Sequence, residues 1–317
     1  MVLGTGYMIS MPGRAFSGLL PALTVEQDAV SKRLERHVRM LAEEIGERNL
    51  LRYDSLEASA RYLDRAFREM GYAAAAQEFV VAGKKVKNFE AELEGQSRPE
   101  EIVIVGAHYD SVFGCPGAND NATGTAALLE IARMMAGRKL ARTVRFVAFV
   151  NEEPPFFQTQ QMGSRLYARH SRQRGENIVA MLSLETMGYY SDAAASQCYP
   201  FPFSLFYPST GNFIAFVGNL SSRKLVRQAI SSFREHAEFP SEGVAAPEWM
   251  PGIGWSDHWS FWREGYQAVM VTDTAPFRYP HYHTPSDTPD KIDYDRLGRV
   301  VVGLAAVVID LADSGAR

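Results

Sequence analysis

Cysteine is nearly absent: the chain has two, Cys115 and Cys198, among 317 residues. Two cysteines do not make the framework that staples a small secreted domain, and two buried thiols are expected more often than a bridge between them. Long hydrophobic runs are missing too. The densest, VVVGLAAVVI at 300–309, has half of the roughly 20 residues a membrane-spanning helix needs, and it reads as a buried helix. The first charge, Arg14, follows the apolar N-terminal stretch, the reverse of the order in a secretory signal. No block of lysine and arginine stands out, and the net charge is -4. Nucleic acid is therefore not an expected partner. Internal repeats, low-complexity tracts and linkers rich in Pro, Gly or Ser are absent from 24–317.

What the chain does hold is an ordinary globular balance, 46% hydrophobic and 22% charged, at a length that buries a sizeable core. Residues 1–23 read as an irregular arm and 24–317 as one domain. Thr24-Val25-Glu26-Gln27 has the form of a capping box opening a helix. A second amphipathic helix spans 55–70, stopped by Gly71. Strands are expected at 75–81, 86–94, 101–105, 144–150, 178–184, 213–218 and 267–272. Helices are expected at 123–137, 161–174, 223–236 and 294–312. Strands alternating with helices indicate an α/β fold around a largely parallel sheet. Residues 186–212 and 239–256 read as loop-rich cover for one end of it.

In such sheets ligands bind beyond the carboxyl ends of the strands, and the residues at those ends are distinctive. EIVIV is followed by Gly106-Ala107-His108-Tyr109-Asp110. VRFVAFV is followed by Asn151-Glu152-Glu153. IVAMLSL is followed by Glu185, and AVMVTDT leads to His281-Tyr282-His283. Each residue has a plain reading: a surface His-x-Asp pair, a solvated Glu pair, a surface histidine at His283, and for Asp120 a helix N-cap or Asx turn. The other reading joins them. His108 supplies an imidazole nitrogen, and Asp110 orients it by accepting its second N–H. Asp120 is a carboxylate bridging two ions. Glu152 and Glu153, consecutive in an extended chain, point apart, so one ligates while the other faces a water. Two histidines and three carboxylates without thiolate suit zinc, cobalt or manganese.

The motifs H-Y-D, G-A-N-D-N-A-T-G, F-V-N-E-E, M-G-S-R, L-E-T-M-G, S-D-H-W-S-F and Y-H-T-P-S-D-T, in that order over roughly 100–295, resemble family 28 of the zinc metallopeptidases. That family includes bacterial leucyl aminopeptidases and has glutaminyl cyclases as relatives. The resemblance implies a single α/β domain with a mixed, mostly parallel sheet sandwiched by helices. It also implies two zinc ions: His108 and Glu185 on one, Glu153 and His283 on the other, Asp120 bridging. It makes Glu152 the general base, Asp110 the support of His108, and Tyr282 a donor to the oxyanion. Asp257 and His258 match a signature near the substrate. The substrates implied are peptides with a free N-terminus. The location implied is extracytoplasmic (periplasmic, secreted or anchored), with the cytoplasm left open.

This chain departs from the family pattern in three places. Glu185 stands where aspartate is more usual. The stretch 154–161 lengthens the loop after the Glu pair, and its Phe156 and Phe157 are candidates for an apolar specificity pocket or for plain packing. Cys115 lies close to the metal loop. The rival readings are a glutaminyl cyclase-like acyltransferase, disfavoured because cyclases tend to carry tryptophan at the position of Tyr282, and a non-catalytic binding domain, disfavoured because all five ligands and Glu152 are present.

Overall fold

A computed structural model describes residues 2–314. The N-terminal half holds α1 (Val2–Ile9), α2 (Val25–Arg39), α3 (Tyr53–Glu69), β1 (Ala75–Val81), β2 (Lys84–Leu93), β3 (Arg98–His108), α4 (Gly124–Met135) and β4 (Arg142–Phe149). The C-terminal half holds α5 (Gly163–Gln173), β5 (Asn177–Glu185), β6 (Ile214–Asn219), α6 (Arg223–His236), β7 (Ser241–Ala246), α7 (His258–Trp262), β8 (Ala268–Thr272), α8 (Ala275–Arg278) and α9 (Tyr294–Asp313).

The strands form one sheet in the order β1-β2-β4-β3-β5-β8-β6-β7. Its centre, β4-β3-β5-β8, is parallel throughout. The β1–β2, β2–β4 and β6–β8 pairs are antiparallel, so the sheet is mixed. Alternation along the central strands divides the apolar residues between two cores. Val103, Val105 and Ala107 of β3, with Val144, Phe146 and Ala148 of β4, pack beneath α4 and α9 in a core shared with α2 and α6. Ile102 and Ile104, with Val147 and Phe149, face the other way, against α5 and α7. Each fully buried Leu, Val or Phe contributes about 1.5–3 kcal/mol. This double burial explains why β3 to β5 read as continuous apolar runs.

Chain connectivity positions the site. The chain leaves β3, crosses by α4 to β4, then returns past β3 by α5 to β5. With α4 and α5 on opposite faces, the loops after these strands splay apart at their carboxyl ends.

Two expectations are corrected. The arm at 1–23 is not wholly irregular: α1 docks against β7, Arg223 Nε donates to the Tyr7 carbonyl at 2.7 Å, and its guanidinium lies 3.9 Å over the Tyr7 ring. Tertiary contact there outweighs the poor helix propensity of glycine. The stretch 239–256 is not all loop either. Ser241–Ala246 forms β7, parallel to β6, although its small residues carry little strand propensity.

The capping box is present in full. Gln27 N donates to Thr24 Oγ1 at 3.1 Å, and Thr24 N donates to Gln27 Oε1 at 3.0 Å. The Thr24→Ala variant should lose about 1 kcal/mol of unfolding free energy, read as a lower urea midpoint at unchanged slope.

Candidate active site

β3 ends on His108, and α4 begins one loop later. In that loop Gly117 holds φ +65°, and a Cβ there would lie 2.4 Å from the Asp120 carbonyl oxygen, so only glycine fits. The loop turns Asp120 back toward His108: its Oδ1 lies 3.4 Å from His108 Nε2 and its Oδ2 3.0 Å from His283 Nε2. One carboxylate thus faces both imidazoles. Glu185 Oε2 is 3.3 Å and Glu152 Oε2 3.8 Å from His108 Nε2, while Glu153 Oε2 is 3.3 Å from His283 Nε2. Two metal-competent groups share His108: one with Asp120 and Glu153, the other with Glu152 and Glu185. Six sequence-expected residues therefore meet at one point, each from a strand exit or the loop after it.

His108 Nε2, Asp120 Oδ1, Glu153 Oε1 and His283 Nε2 are buried and make no hydrogen bond among the described residues. Four orphaned donors and acceptors facing one another fit a bound cation better than a protein network, and this set of nitrogen and oxygen ligands suits zinc. The longer reach of Glu185 is accommodated, since Ser256 Oγ donates to its Oε2 at 2.7 Å.

The electrostatics show a crowd of acids. Burial pushes Glu153 up to about 8, with Asp120 adding to it. Burial, then Glu185, Glu153 and Asp257, hold Glu152 well above the usual carboxylate range, against the pull of His108. Burial opposes charge on His108, but Glu185, Glu152, Asp110 and Asp120 overcome it and raise the imidazole well above its ordinary value. His283 is raised to about 10: burial opposes this, and its contacts with Asp120 and Glu153 prevail. Asp120 is lowered, because both histidines outweigh its burial. A dication inverts such local pKa logic.

Asp110 does not sit quite as expected. Its Oδ1 is 3.6 Å from His108 Nδ1, while its own main-chain oxygen is nearer at 3.3 Å. Its carboxylate instead accepts from Glu152 N and Glu153 N, both at 3.2 Å, so Asp110 fixes the Glu pair as well as neighbouring the imidazole. Tyr282 stacks on His283, centroids 3.8 Å apart and planes at 17°. Burial and the surrounding Asp120, Glu153, Glu185 and Glu152 hold its phenol well above its ordinary value, so it keeps its proton. Asp257 is buried without a hydrogen-bond partner among the described residues, and burial lifts it to about 7. His258 is not brought to the cluster. Its Nε2 donates to the Ile253 carbonyl at 2.7 Å, its ring meets Trp262 edge-on, and burial lowers it to about 4; it is a neutral core histidine. Phe156 packs against the main core, and neither it nor Phe157 lines the apolar cavity beside the site. Cys115 is buried and unpaired; Cys198, against the expectation of two buried thiols, is exposed.

The frame of the site includes residues that sequence reasoning passed over. Asp287 accepts from Asn119 N at 2.8 Å, Asp120 N at 3.1 Å and the Tyr279 hydroxyl at 2.9 Å. It lies inside the quoted Y-H-T-P-S-D-T stretch, which was the available signal. Asn121 ties the loop to the exit of β5: its Nδ2 donates to Leu184 O, and its Oδ1 accepts from Thr186 N. Arg48 carried no signal. It is wholly buried and donates to the carbonyls of Tyr109, Leu41, Gly46, Pro116 and Gly117. Burial lowers its guanidinium to about 10 against the support of Asp110, Asp287, Asp120 and Glu153, so it remains a fixed cation behind the acids.

The chain is similar to known proteins over most of its length. A model described as peptidase family M28 matches residues 88–308. An uncharacterized Escherichia coli (strain K12) protein, YfbL, is 36% identical over 289 residues, 88% of each chain. A probable leucine aminopeptidase 1 of Trichophyton verrucosum is 29% identical over 65% of this chain; the chain spans about half, 54%, of that relative. Among solved structures, a Bacillus subtilis zinc aminopeptidase superposes with TM-score 0.71 at 17% identity, over 90% of this chain and 96% of the other. A Fimbriiglobus ruber glutaminyl cyclase superposes with TM-score 0.63 at 21% identity, over 94% and 99%. These likenesses show a shared fold.

Arg48→Met should leave those carbonyls unpaired and the acids less balanced, costing about 3 kcal/mol or more, read from chemical denaturation of the purified variant.

Proposed function

The chain belongs to peptidase family M28, a peptide-bond hydrolase family, and from that membership we propose that it is a zinc-dependent aminopeptidase removing N-terminal residues from peptides. The observation that carries the reading is the convergence of His108, Asp120, Glu153, Glu185 and His283, four of them with buried atoms left without hydrogen bonds among the described residues, beside the carboxylate of Glu152.

In this reading His108 and Glu185 would hold one zinc ion, Glu153 and His283 would hold a second, and Asp120 would serve both. Zinc supplies Lewis acidity toward a water and toward the scissile carbonyl. Glu152 takes a proton from the attacking water and delivers it to the leaving amine. Its burial beside other acids favours an acceptor that readily passes the proton on. Tyr282, held protonated, donates to the oxygen that gains charge as the carbonyl is attacked. Asp110 fixes the direction of Glu152 through the backbone of both glutamates. The same acids form a natural seat for the cationic α-amine of a substrate, which restricts cleavage to the first residue. Relatives with aminopeptidase names support this reading.

Three experiments test it. Glu152→Gln should keep the metal content of the unsubstituted protein and lose roughly 100- to 10,000-fold in turnover. Asp120→Ala should lower zinc content at both sites by elemental analysis, and normal stoichiometry in that variant would end its bridging role. Mass spectrometry of a peptide mixture incubated with the zinc-loaded protein should show stepwise loss of single residues from unblocked peptides only. Loss of ammonia from an N-terminal Gln peptide alone would make it a cyclase, and no change would overturn the enzyme reading.

A further inference from the structure

Beside the acidic cluster lies a cavity of about 90 Å³. Its floor is a row of residues in register across four strands. Glu185 of β5 pairs with Thr272 of β8, Thr272 with Ala215 of β6, and Ala215 with Glu242 of β7. Directly paired residues present their side chains on one face, and all four line the cavity. The neighbouring row, Met270, Val217 and Val244, lines it as well. The cavity therefore begins at Glu185 and Tyr282, inside the candidate active site, and reaches Glu242 three strand spacings away, about 14 Å along the sheet.

Between these ends the walls are apolar and aromatic, including Phe203, Phe213 and a stacked pair, Trp255 and Phe277, with centroids 6.0 Å apart. Glu242 is out of place among them. Among the described residues, no lysine or arginine lines the cavity. The Arg234 guanidinium, on α6, is committed to Ser241 and to the carbonyls of Pro12 and Gly13. The hydroxyls of Tyr199 and Tyr207, also in the lining, donate to the carbonyls of Pro208 and Gly243. Glu242 has no ion pair or side-chain hydrogen bond among the described residues. Burial raises its carboxyl, and Arg234 offsets this only in part. A desolvated acid without a partner is a cost to the folded protein that a ligand cation removes.

We propose that this cavity receives the side chain of the substrate's N-terminal residue and that Glu242 selects lysine and arginine there. The proposal rests on the aminopeptidase reading and names its substrate class. A basic side chain lays its methylene stem along the apolar walls, stacks a guanidinium on aromatic faces and places its charge against Glu242 in a charge-assisted hydrogen bond. Leucine or phenylalanine fills only the near part and leaves the half-buried carboxylate unpaired.

The test is steady-state kinetics of the zinc-loaded protein and its Glu242→Gln variant on fluorogenic amides of Arg, Lys, Leu and Phe, with N-acetyl-Arg amide as control. The unsubstituted protein should show higher kcat/KM on Arg and Lys than on Leu and Phe. In Glu242→Gln the Arg-to-Leu ratio of kcat/KM should fall by at least about 30-fold. The thermal midpoint of the variant, unchanged or raised, should show that it is folded. A preference for Leu and Phe in the unsubstituted protein, or an equal loss on all four amides in the variant, would overturn the role of Glu242 while leaving the aminopeptidase reading intact. Cleavage of none of the four unblocked amides would overturn the aminopeptidase reading and this proposal with it.

Discussion

A carboxylate taken out of water must be paired, protonated or bound to a metal, and this protein buries Asp110, Asp120, Glu152, Glu153, Glu185, Asp257 and Asp287 around the ends of parallel strands. Much of the surrounding structure answers that demand. Arg48 places a permanent cation behind the loop, with its donors satisfied by main-chain carbonyls instead of by the acids themselves. Backbone N–H groups of Glu152 and Glu153 are spent on Asp110, and those of Asn119 and Asp120 on Asp287. Two imidazoles offset part of the remaining negative charge, and among the described residues His108 Nε2, Asp120 Oδ1, Glu153 Oε1 and His283 Nε2 are still left without a hydrogen bond.

The same demand shapes the backbone. Asn151 after β4, Thr186 after β5, Thr274 after β8 and His283 all hold positive φ without being glycine. A left-handed β-branched threonine is a rare conformation, costing of order 1–3 kcal/mol. The strand exits accept this cost where the chain must turn at once to keep its side chains over the sheet edge. The parallel strands beneath, covered on both faces, give these turns a rigid base, so the ligand-bearing positions are held by sheet register instead of by loop packing. Beyond that edge the register carries on into the apolar cavity, and one row of the sheet joins the cluster to Glu242.

Most of the fold was legible in the sequence because its central strands are buried on both sides and its helices on one. Continuous apolar runs and a 3.6-residue period are the direct imprint of those burials. The strands at 75–81 and 178–184 and the helices at 223–236 and 294–312 were placed within a residue or two. β7 was passed over because Ser241–Ala246 has neither a run nor an alternation; pairing with β6 makes it a strand. α1 was passed over because glycines hide a helix that docking supports. Within the site, residues following apolar strands announced themselves, whereas Arg48 is an arginine among many in the sequence, and its burial comes only from the packing of the loops around it.

The sequence by itself determined the chemistry available: which side chains follow which strands, a ligand set of nitrogen and oxygen without thiolate, and an acid next to Glu153 and two residues after His108. These are local facts, written in residue type and spacing, and the strand period transmits them directly. The tertiary structure decided which of these side chains meet. It brought His283 across from a loop about 160 residues after Asp120, sent His258 into the core while its neighbour Asp257 stayed close to the acids, and set Glu242 in the same rung as Glu185. Such choices depend on strand order and register, which arise from long-range packing free energy and leave no periodic trace in the chain.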